Sequence, residues 1–346
     1  LEVFFNDINE PKFRAKQLIK WVHQKGILDF RQMTDFNKIL REKLELIACF
    51  KIPVVEKVYK SPEGTIKYLV KLESGSMIEM VRIPEKKRMT LCISSQAGCA
   101  LQCTFCATGA QGFETNLTSD EIIGQLWLAN FYHENEPPIT NVVFMGMGEP
   151  LLNFENVIES AKIMKEQHAY GLSRKRITIS TSGITPLIDK LCNEIDVSLA
   201  ISLHAPTNEL RDEIVPINKK YPISTLIRSC NNYLKNYHSK RSITIEYILI
   251  DGINDSEELA RKLAKLLSNL SCKINLIPFN PFEGSSYKRS KTKTIENFKK
   301  ILMDKGFITT LRVTRGDAID GACGQLVGKL SKSIKGKKLI SHKLIS

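Results

Sequence analysis

The sequence lacks any apolar run approaching the about 18 to 20 residues that span a bilayer, so we expect no membrane segment. It also lacks a regular cysteine framework. Its nine cysteines are odd in number and unevenly spaced, which argues against a disulfide-stapled secreted protein. With 42% apolar and 25% charged residues, the remaining class is a globular protein of a reducing compartment, and we expect a cytoplasmic location.

Acidic residues are in deficit. The chain has 37 Asp and Glu against 50 Lys and Arg, which gives a formal net charge of +13. Such an excess on a folded protein favours a polyanionic partner, most often a nucleic acid. Residues 329–346 form a C-terminal tail with six Lys and no carboxylate. For this tail, the alternative is a lysine-rich composition that binds nothing.

Two patterns divide the first quarter of the chain. Amphipathic stretches over residues 10–23 and 30–46 predict a helical accessory domain within residues 1–52. Residues 53–88 predict a β-meander extension, because apolar and polar residues alternate over 53–59, 65–72 and 77–83, with turn sequences between these runs.

Short β-rich runs alternate with helical stretches from Asn141 onward, which predicts βα units and a parallel sheet. The runs cover residues 141–146, 176–181, 197–203, 242–249, 273–278 and 308–313, and the helices cover 119–134, 154–168, 224–235, 256–269 and 294–305. We therefore expect an α/β core over residues 89–328. Six such units make either an open sheet or a partial barrel, and periodicity leaves both open.

Three cysteines are concentrated in GCALQCTFCATG, as Cys99, Cys103 and Cys106. A structural zinc ion requires a fourth protein ligand. Three thiolates in one loop instead suit a [4Fe–4S] cluster with one iron left open. Zinc remains the alternative at this point. Downstream, MGMGEP follows a β-run, where glycines permit close backbone approach and Glu149 offers an acceptor for an ammonium group.

The cysteine loop and the MGMGEP segment resemble those of the radical S-adenosylmethionine (SAM) superfamily. The resemblance implies a partial (β/α)6 barrel, a [4Fe–4S] cluster that binds SAM through its open iron, and a 5′-deoxyadenosyl radical. The implied barrel of six βα units agrees with the six β-rich runs of the core.

Longer motifs resemble the RlmN/Cfr family of RNA adenosine methyltransferases. They are TLCISSQAGCALQCTFCATGAQGF, VVFMGMGEPLLN, TISTSG, ISLHAP, EIVPINKKYPI, KINLIPFNPF and TRGDAIDGACGQL, and they extend from about Thr65 to Leu326. Pro150 after the Gly-Glu pair favours the branch that methylates adenosine C2 over the branch that methylates C8. Methylation of C8 remains one alternative, and a zinc-dependent RNA-binding protein without catalysis is the other.

Carbon 2 of adenine is electron-poor, so its methylation calls for radical chemistry. The resemblance also implies which residues carry out this chemistry. It implies that Cys323 carries the methyl group and bonds to the base, that Cys92 releases the product by forming a disulfide, and that Glu79 accepts the proton. By pattern alone, Glu79 in a strand is equally a solvated residue. The implied contacts to the cofactor are Gly148, Glu149, Ser180, Ser202, Leu203, His204 and Asn280.

The implied partners are 23S rRNA, tRNA modified beside its anticodon, and an electron donor of the flavodoxin or ferredoxin type, with the enzyme a monomer. A paired base must be extruded to enter a barrel. Phosphate contacts are expected from basic segments, and the N-terminal module is expected to read RNA shape. The basic segments are 174–176, 219–220 and 288–293.

Overall fold

The computed structural model describes residues 1–133, 136–237, 241–312 and 315–328. The lysine-rich tail expected at 329–346 lies outside the described residues. No helix in the described ranges combines the length and apolarity needed to cross a bilayer.

The N-terminal module contains α1 (Glu2–Asp7), α2 (Arg14–His23) and α3 (Lys38–Ile47) around its own apolar cluster. α2 starts later than predicted, because Asn9 is left-handed (φ 59°) and Pro11 disfavours helix at the residue before it. The helix predicted over 30–46 is divided into a 3-10 turn, Phe30–Gln32, and α3. Asn37 separates the two parts by capping α3, since its side chain accepts a hydrogen bond from the Leu40 amide.

The meander has four antiparallel strands in place of the three predicted. They are β1 (Val54–Lys60), β2 (Ile66–Lys71), β3 (Met77–Glu85) and β4 (Arg88–Cys92). The sequence does not predict β4, because the strand is short and only a tight turn of charged residues separates it from β3. β4 is also the first strand of the parallel sheet, since its other edge pairs parallel with the next strand of the core.

A hairpin carries the cysteine loop between the meander and the core. It is formed by β5 (Gln96–Gly98) and β6 (Phe113–Asn116), with α4 (Ala107–Gln111) between them. The β-rich runs predicted downstream are all present as strands. The remaining elements are α5 (Ser119–Phe131), β7 (Asn141–Phe144), α6 (Phe154–Lys165), β8 (Ile177–Thr181), α7 (Thr185–Glu194), β9 (Ser198–Ser202), α8 (Asn208–Ile214), α9 (Ile223–Lys235), β10 (Ile243–Leu249), α10 (Glu257–Leu266), β11 (Cys272–Pro278), α11 (Thr292–Asp304) and β12 (Thr309–Leu311).

One ten-stranded sheet joins the meander to the core, in the order β1-β2-β3-β4-β7-β8-β9-β10-β11-β12. The strands from β4 to β12 pair in parallel, which makes seven parallel strands in the described ranges where six were expected. β1 and β12 are the two edges of this sheet, so it forms a partial barrel rather than a closed one. The N-terminal module is attached to it by the Trp127 indole N–H, which donates to the Val22 carbonyl at 3.0 Å.

Candidate active site

Two cavities lie along the barrel, one toward each end of its strands. The first has an empty volume of about 950 Å³, mouth included, and the ends of β7, β8, β9 and β11 line it. The second, about 1570 Å³, reaches the starts of β4, β8, β10, β11 and β12 and also includes residues beyond the strand ends, among them Asn280 and residues 321–323. The two cavities share the side chains of Met145, Glu246, Ile277, Arg312 and Cys323.

Cys99, Cys103 and Cys106 all line the first cavity. They therefore surround one space, which a cluster bound by all three cysteines requires. The loop is held by backbone hydrogen bonds, from the Cys99 amide to the Gly112 carbonyl at 2.8 Å and from the Cys106 amide to the Cys103 carbonyl at 3.1 Å. Gly98 has φ +74°, and a Cβ there would lie 1.9 Å from the Gly112 oxygen. Only glycine fits at that point, so the sequence Gly-Cys is a geometric requirement of the loop.

The donor set fits an iron–sulfur cluster. Burial raises the pKa of Cys99 to about 12 and raises the pKa of Cys103 as well, so thiolates at these positions need a bound cation. In the part of the chain that the structure describes, no three His, Cys, Asp or Glu side chains are arranged to hold a single metal ion. A larger cluster accepts thiolates that are farther apart, and these three cysteines would hold its three protein-ligated irons.

Glu149 is buried on the wall of the first cavity, just past the end of β7. Burial raises its pKa, while the Ser182 amide, which donates at 2.8 Å, lowers it. The Leu151 amide donates to the other oxygen at 3.1 Å. Gly148, with φ +98°, has no room for a Cβ, which would lie 2.5 Å from Gln96 Cβ. The pair therefore presents an acceptor oriented by backbone amides to an ammonium group.

Ser180 and Ser202 also line the first cavity, at the ends of β8 and β9. Leu203 is fully buried and does not line it. The Leu203 carbonyl instead accepts a hydrogen bond at 3.0 Å from the buried Arg211 side chain, which also donates to the carbonyls of Ser182 and Ser202. Arg211 therefore orders the loops that follow β8 and β9. The sequence gives no indication of this role, since it shows only a single Arg within a helix.

His204 completes the wall and has the left-handed φ of +61°. Its Nδ1 accepts a hydrogen bond from the Ile248 amide at 3.0 Å. Burial, with a smaller contribution from Arg211, lowers its pKa to about 3, so the ring is neutral and Nε2 carries the hydrogen. Phe105 lies between the last two loop cysteines in the sequence. Its ring packs edge-to-face with the His204 imidazole, with the two ring centroids 4.6 Å apart.

Cys323 lies on both cavities, in a C-terminal segment that we define as residues 316–328, the Cys323 segment. The Asn280 amide donates to the Cys323 carbonyl at 3.1 Å, and the Ala107 amide donates to the Gly324 carbonyl at 2.8 Å. Asn280 lines the second cavity and not the first. The Asn280 Oδ1 accepts a hydrogen bond from Arg289 at 2.8 Å, so its side chain joins the Cys323 backbone to Arg289.

Cys92 is the last residue of β4 and is buried. Burial, with a smaller contribution from the nearby Cys323, raises its pKa to about 12, and Arg312 opposes this shift. Burial also raises the pKa of Cys323, and Arg312 opposes this shift. The structure thus brings the two thiols near each other and near one guanidinium group.

Glu79 lies in β3 and is 1% exposed, so the solvated alternative is wrong. Its side chain lines neither cavity. Lys67 makes an ion pair with one carboxylate oxygen at 2.8 Å, and the Val327 amide donates to the other at 3.0 Å. Along the sheet, Val81 pairs with Cys92, and Glu79 projects from the same face as Val81.

Sequence reasoning missed two charged residues that lie on both cavities, Glu246 and Arg312. Burial raises the pKa of Glu246, while Arg312 and the Asn275 amide, which donates at 2.8 Å, lower it. Glu246 lies in a largely apolar strand sequence, TIEYILI. A single acidic residue in such a run is unusual, and this was the feature from which sequence reasoning could have found Glu246.

Comparison with known proteins agrees with this geometry. The family described as ribosomal RNA large subunit methyltransferase N-terminal domain matches residues 1–50, and the radical SAM superfamily matches residues 93–264. The chain is similar to the dual-specificity RNA methyltransferase RlmN of Marinobacter nauticus, at 52% identity over 95% of this chain and 90% of that protein. The corresponding protein of Pseudomonas entomophila is 53% identical over 96% of this chain and 89% of its own length.

Among solved structures, a radical SAM methyltransferase from Sphaerobacter thermophilus superposes with a TM-score of 0.89 at 39% identity, covering 95% of this chain and 96% of that one. Membership of an enzyme family decides against the alternative of a zinc-dependent protein without catalysis. The chain belongs to the RlmN family of radical SAM RNA methyltransferases, whose chemistry depends on a [4Fe–4S] cluster and SAM.

Proposed function

We propose that this enzyme methylates C2 of a specific adenosine in 23S rRNA and of the adenosine beside the anticodon in tRNA. The observation that carries the proposal is the position of Cys323, whose side chain lines both cavities. A thiol there can receive a methyl group from one side and meet a nucleobase on the other. The two RNA classes are consistent with the name dual-specificity RNA methyltransferase that the relatives bear.

In this proposal the first cavity holds both cofactors. Cys99, Cys103 and Cys106 hold the cluster, and Glu149 accepts from the ammonium group of SAM. Ser180, Ser202 and the Nε2–H of His204 are the further polar groups on this wall. When bound, the cluster and SAM supply a 5′-deoxyadenosyl radical that removes a hydrogen atom from a methyl group on the protein.

The two remaining thiols divide the work. Cys323 Sγ accepts the methyl group, and after removal of a hydrogen atom the methylene carbon on that sulfur bonds to carbon 2 of the base. The adduct gives up one electron, which the oxidised cluster would accept, and Glu79 takes the proton from carbon 2. Cys92 then attacks Cys323 Sγ, the sulfur–carbon bond breaks, the released carbon takes up a proton to become the methyl group, and a Cys92–Cys323 disulfide remains. Arg312 supports both thiols, because its charge lowers the pKa of each.

The nucleotide enters through the second cavity. Its walls are polar, and the side chains of Arg88, Lys273, Arg312 and Arg315 outnumber those of Glu85 and Glu246. The turn Arg174–Arg176 precedes β8, so it lies at the end of the sheet where that strand begins. Basic side chains at this end of the sheet suit the phosphate groups on either side of an extruded adenosine.

The partners and location follow from this activity. We propose an electron donor of the flavodoxin or ferredoxin type, because the cluster must be reduced once per radical. We further propose a monomer located in the cytoplasm, where rRNA and tRNA are modified.

The position of the methyl group tests the function directly. RNA treated with the reconstituted enzyme and SAM is expected to contain 2-methyladenosine in both 23S rRNA and tRNA, since Cys323 is proposed to attack carbon 2. Liquid chromatography with mass spectrometry separates this nucleoside from 8-methyladenosine. Recovery of the 8-methyl isomer would establish the C8 alternative, and product in one RNA alone would limit the substrate range.

Replacing Cys99, Cys103 and Cys106 together by Ala is expected to abolish 5′-deoxyadenosine formation, because the cluster loses all its protein ligands. Iron content and absorption near ~400 nm are expected to fall with it. Cys49→Ala, at an exposed cysteine, is the matched control and keeps both. Continued 5′-deoxyadenosine formation by the triple variant under reducing conditions would refute the cluster assignment.

Substitutions of the two other thiols are expected to fail at different steps. Cys323→Ala removes the methyl acceptor, so neither methylated protein nor adduct forms. Cys92→Ala still bonds to the base and then stalls, because no second thiolate attacks the thioether sulfur. The expected signature is RNA attached to Cys323, as a gel shift that survives denaturation and disappears with ribonuclease. Cys272→Ala is the control, and normal turnover by Cys92→Ala contradicts this division of labour.

RNA affinity is expected to fall by about tenfold or more between about 50 and 200 mM salt, since several phosphate contacts release counterions. Changing Arg174, Lys175 and Arg176 to Ser is expected to reduce this salt dependence in binding titrations. Arg261 and Lys262, two exposed residues of α10, are the matched control, because they line neither cavity and belong to none of the basic segments expected to contact RNA. An equal effect of both variants argues against RNA entry at the strand-start edge.

A further inference from the structure

Lys67 and Glu79 form a buried ion pair in the meander. Lys67 lies in β2 and is 3% exposed, Glu79 lies in β3 and is 1% exposed, and Nζ is 2.8 Å from Oε1. The two strands are antiparallel neighbours with Lys67 opposite Val81, so the pair spans them diagonally. The Tyr59 ring of β1 lies 5.0 Å from Nζ on the other side.

The pair also grips the Cys323 segment at two points. Lys67 Nζ donates to the Asp320 carbonyl at 3.2 Å, three residues before Cys323. The Val327 amide, four residues after it, donates to Glu79 Oε2 at 3.0 Å. Both carboxylate oxygens are therefore engaged, one by a cation and one by the segment that carries the methyl-accepting thiol.

The environment of Glu79 makes its charge depend on Lys67. An ionised carboxylate that is buried without a counter-ion is strongly disfavoured and takes up a proton. The groups that face the pair from other elements are the Tyr59 ring from β1, the Asp320 carbonyl and the Val327 amide, and the Ser94 hydroxyl donates to the Glu79 carbonyl. Among these described groups, none but Lys67 supplies a positive charge.

We propose that Lys67 is a positioning residue that keeps Glu79 ionised and oriented for proton removal from the RNA-bound intermediate. The inference rests on the proposed role of Glu79. In that step one proton passes from carbon 2 to a Glu79 oxygen, and the electron pair of the C–H bond stays on the ring. Proton transfer to Oε2 replaces the hydrogen bond that this oxygen accepts from the Val327 amide.

The test replaces Lys67 by Met and measures methylated adenosine per 5′-deoxyadenosine across pH. Formation of 5′-deoxyadenosine is expected to persist, since Lys67 lines neither cavity and the hydrogen bonds that join the Cys323 segment to the cysteine loop remain. The ratio is expected to fall at pH 7 by about tenfold or more, because the buried Glu79 carboxylate then lacks its counter-ion, and to recover as pH rises. The acidic limb of the profile thus moves to higher pH. Lys67→Arg keeps the charge and is expected to restore the ratio at pH 7.

Lys51→Met is the matched control, because it removes one positive charge from an exposed pair with Glu73 and leaves the profile unchanged. Lys67→Gln serves as a second variant, since it keeps a donor for the Asp320 carbonyl while lacking the charge. It is expected to show the same shift as Lys67→Met. A loss that is equal at every pH would mean that Lys67 only secures the Cys323 segment, and it would overturn the proposal.

Glu79→Gln separates this inference from the proposed function. It is expected to lower the ratio at every pH, since an amide accepts no proton. An unchanged ratio in Glu79→Gln refutes Glu79 as the proton acceptor. A lowered ratio in Glu79→Gln together with a wild-type profile in Lys67→Met refutes the role of Lys67 alone.

Discussion

The position of one sulfur atom constrains the rest of this structure, because the proposed role of Cys323 requires it to face the cysteine loop on one side and the barrel interior on the other. The chain meets this requirement by tying the backbone around Cys323 to several elements. The Gly324 carbonyl accepts from Ala107 at the end of the cysteine loop, and the Thr108 hydroxyl donates to the Leu326 carbonyl at 2.6 Å. The cysteine loop and the Cys323 segment are therefore one mechanical unit, so a shift in either changes the distance between cluster and thiol.

A consequence of this position is an electrostatic problem. Cys92 is buried and Cys323 is half-buried between the two cavities, and burial raises the pKa of both thiols. Nucleophilic attack requires thiolates. Arg312 opposes the shift at both thiols, and Glu246 in turn balances Arg312. A guanidinium is suited to this place, because it keeps its charge when buried better than a lysine ammonium does.

Local patterns were enough to predict most elements and the position of the three loop cysteines around one cavity. Alternation in the meander and β-rich runs after Asn141 depend on neighbours in sequence, and so does the cysteine spacing. The failures are non-local. Strand β4 is defined by its partners on both edges rather than by its own composition. Likewise, only the folded sheet shows that Glu79 is buried beside Lys67.

The meander is consequently part of the site rather than an accessory to it. β4 pairs antiparallel with β3 and parallel with β7, so the strand that ends in Cys92 belongs to both halves of the sheet. Lys67, Val81 and Cys92 lie in one row across three adjacent strands, and Glu79 projects from the same face. The separation of the proposed proton acceptor from the resolving thiol is thus set by ladder hydrogen bonds, which are more rigid than loops. The Cys323 segment, fixed to the cysteine loop by its other hydrogen bonds, joins this row through Lys67 and Glu79.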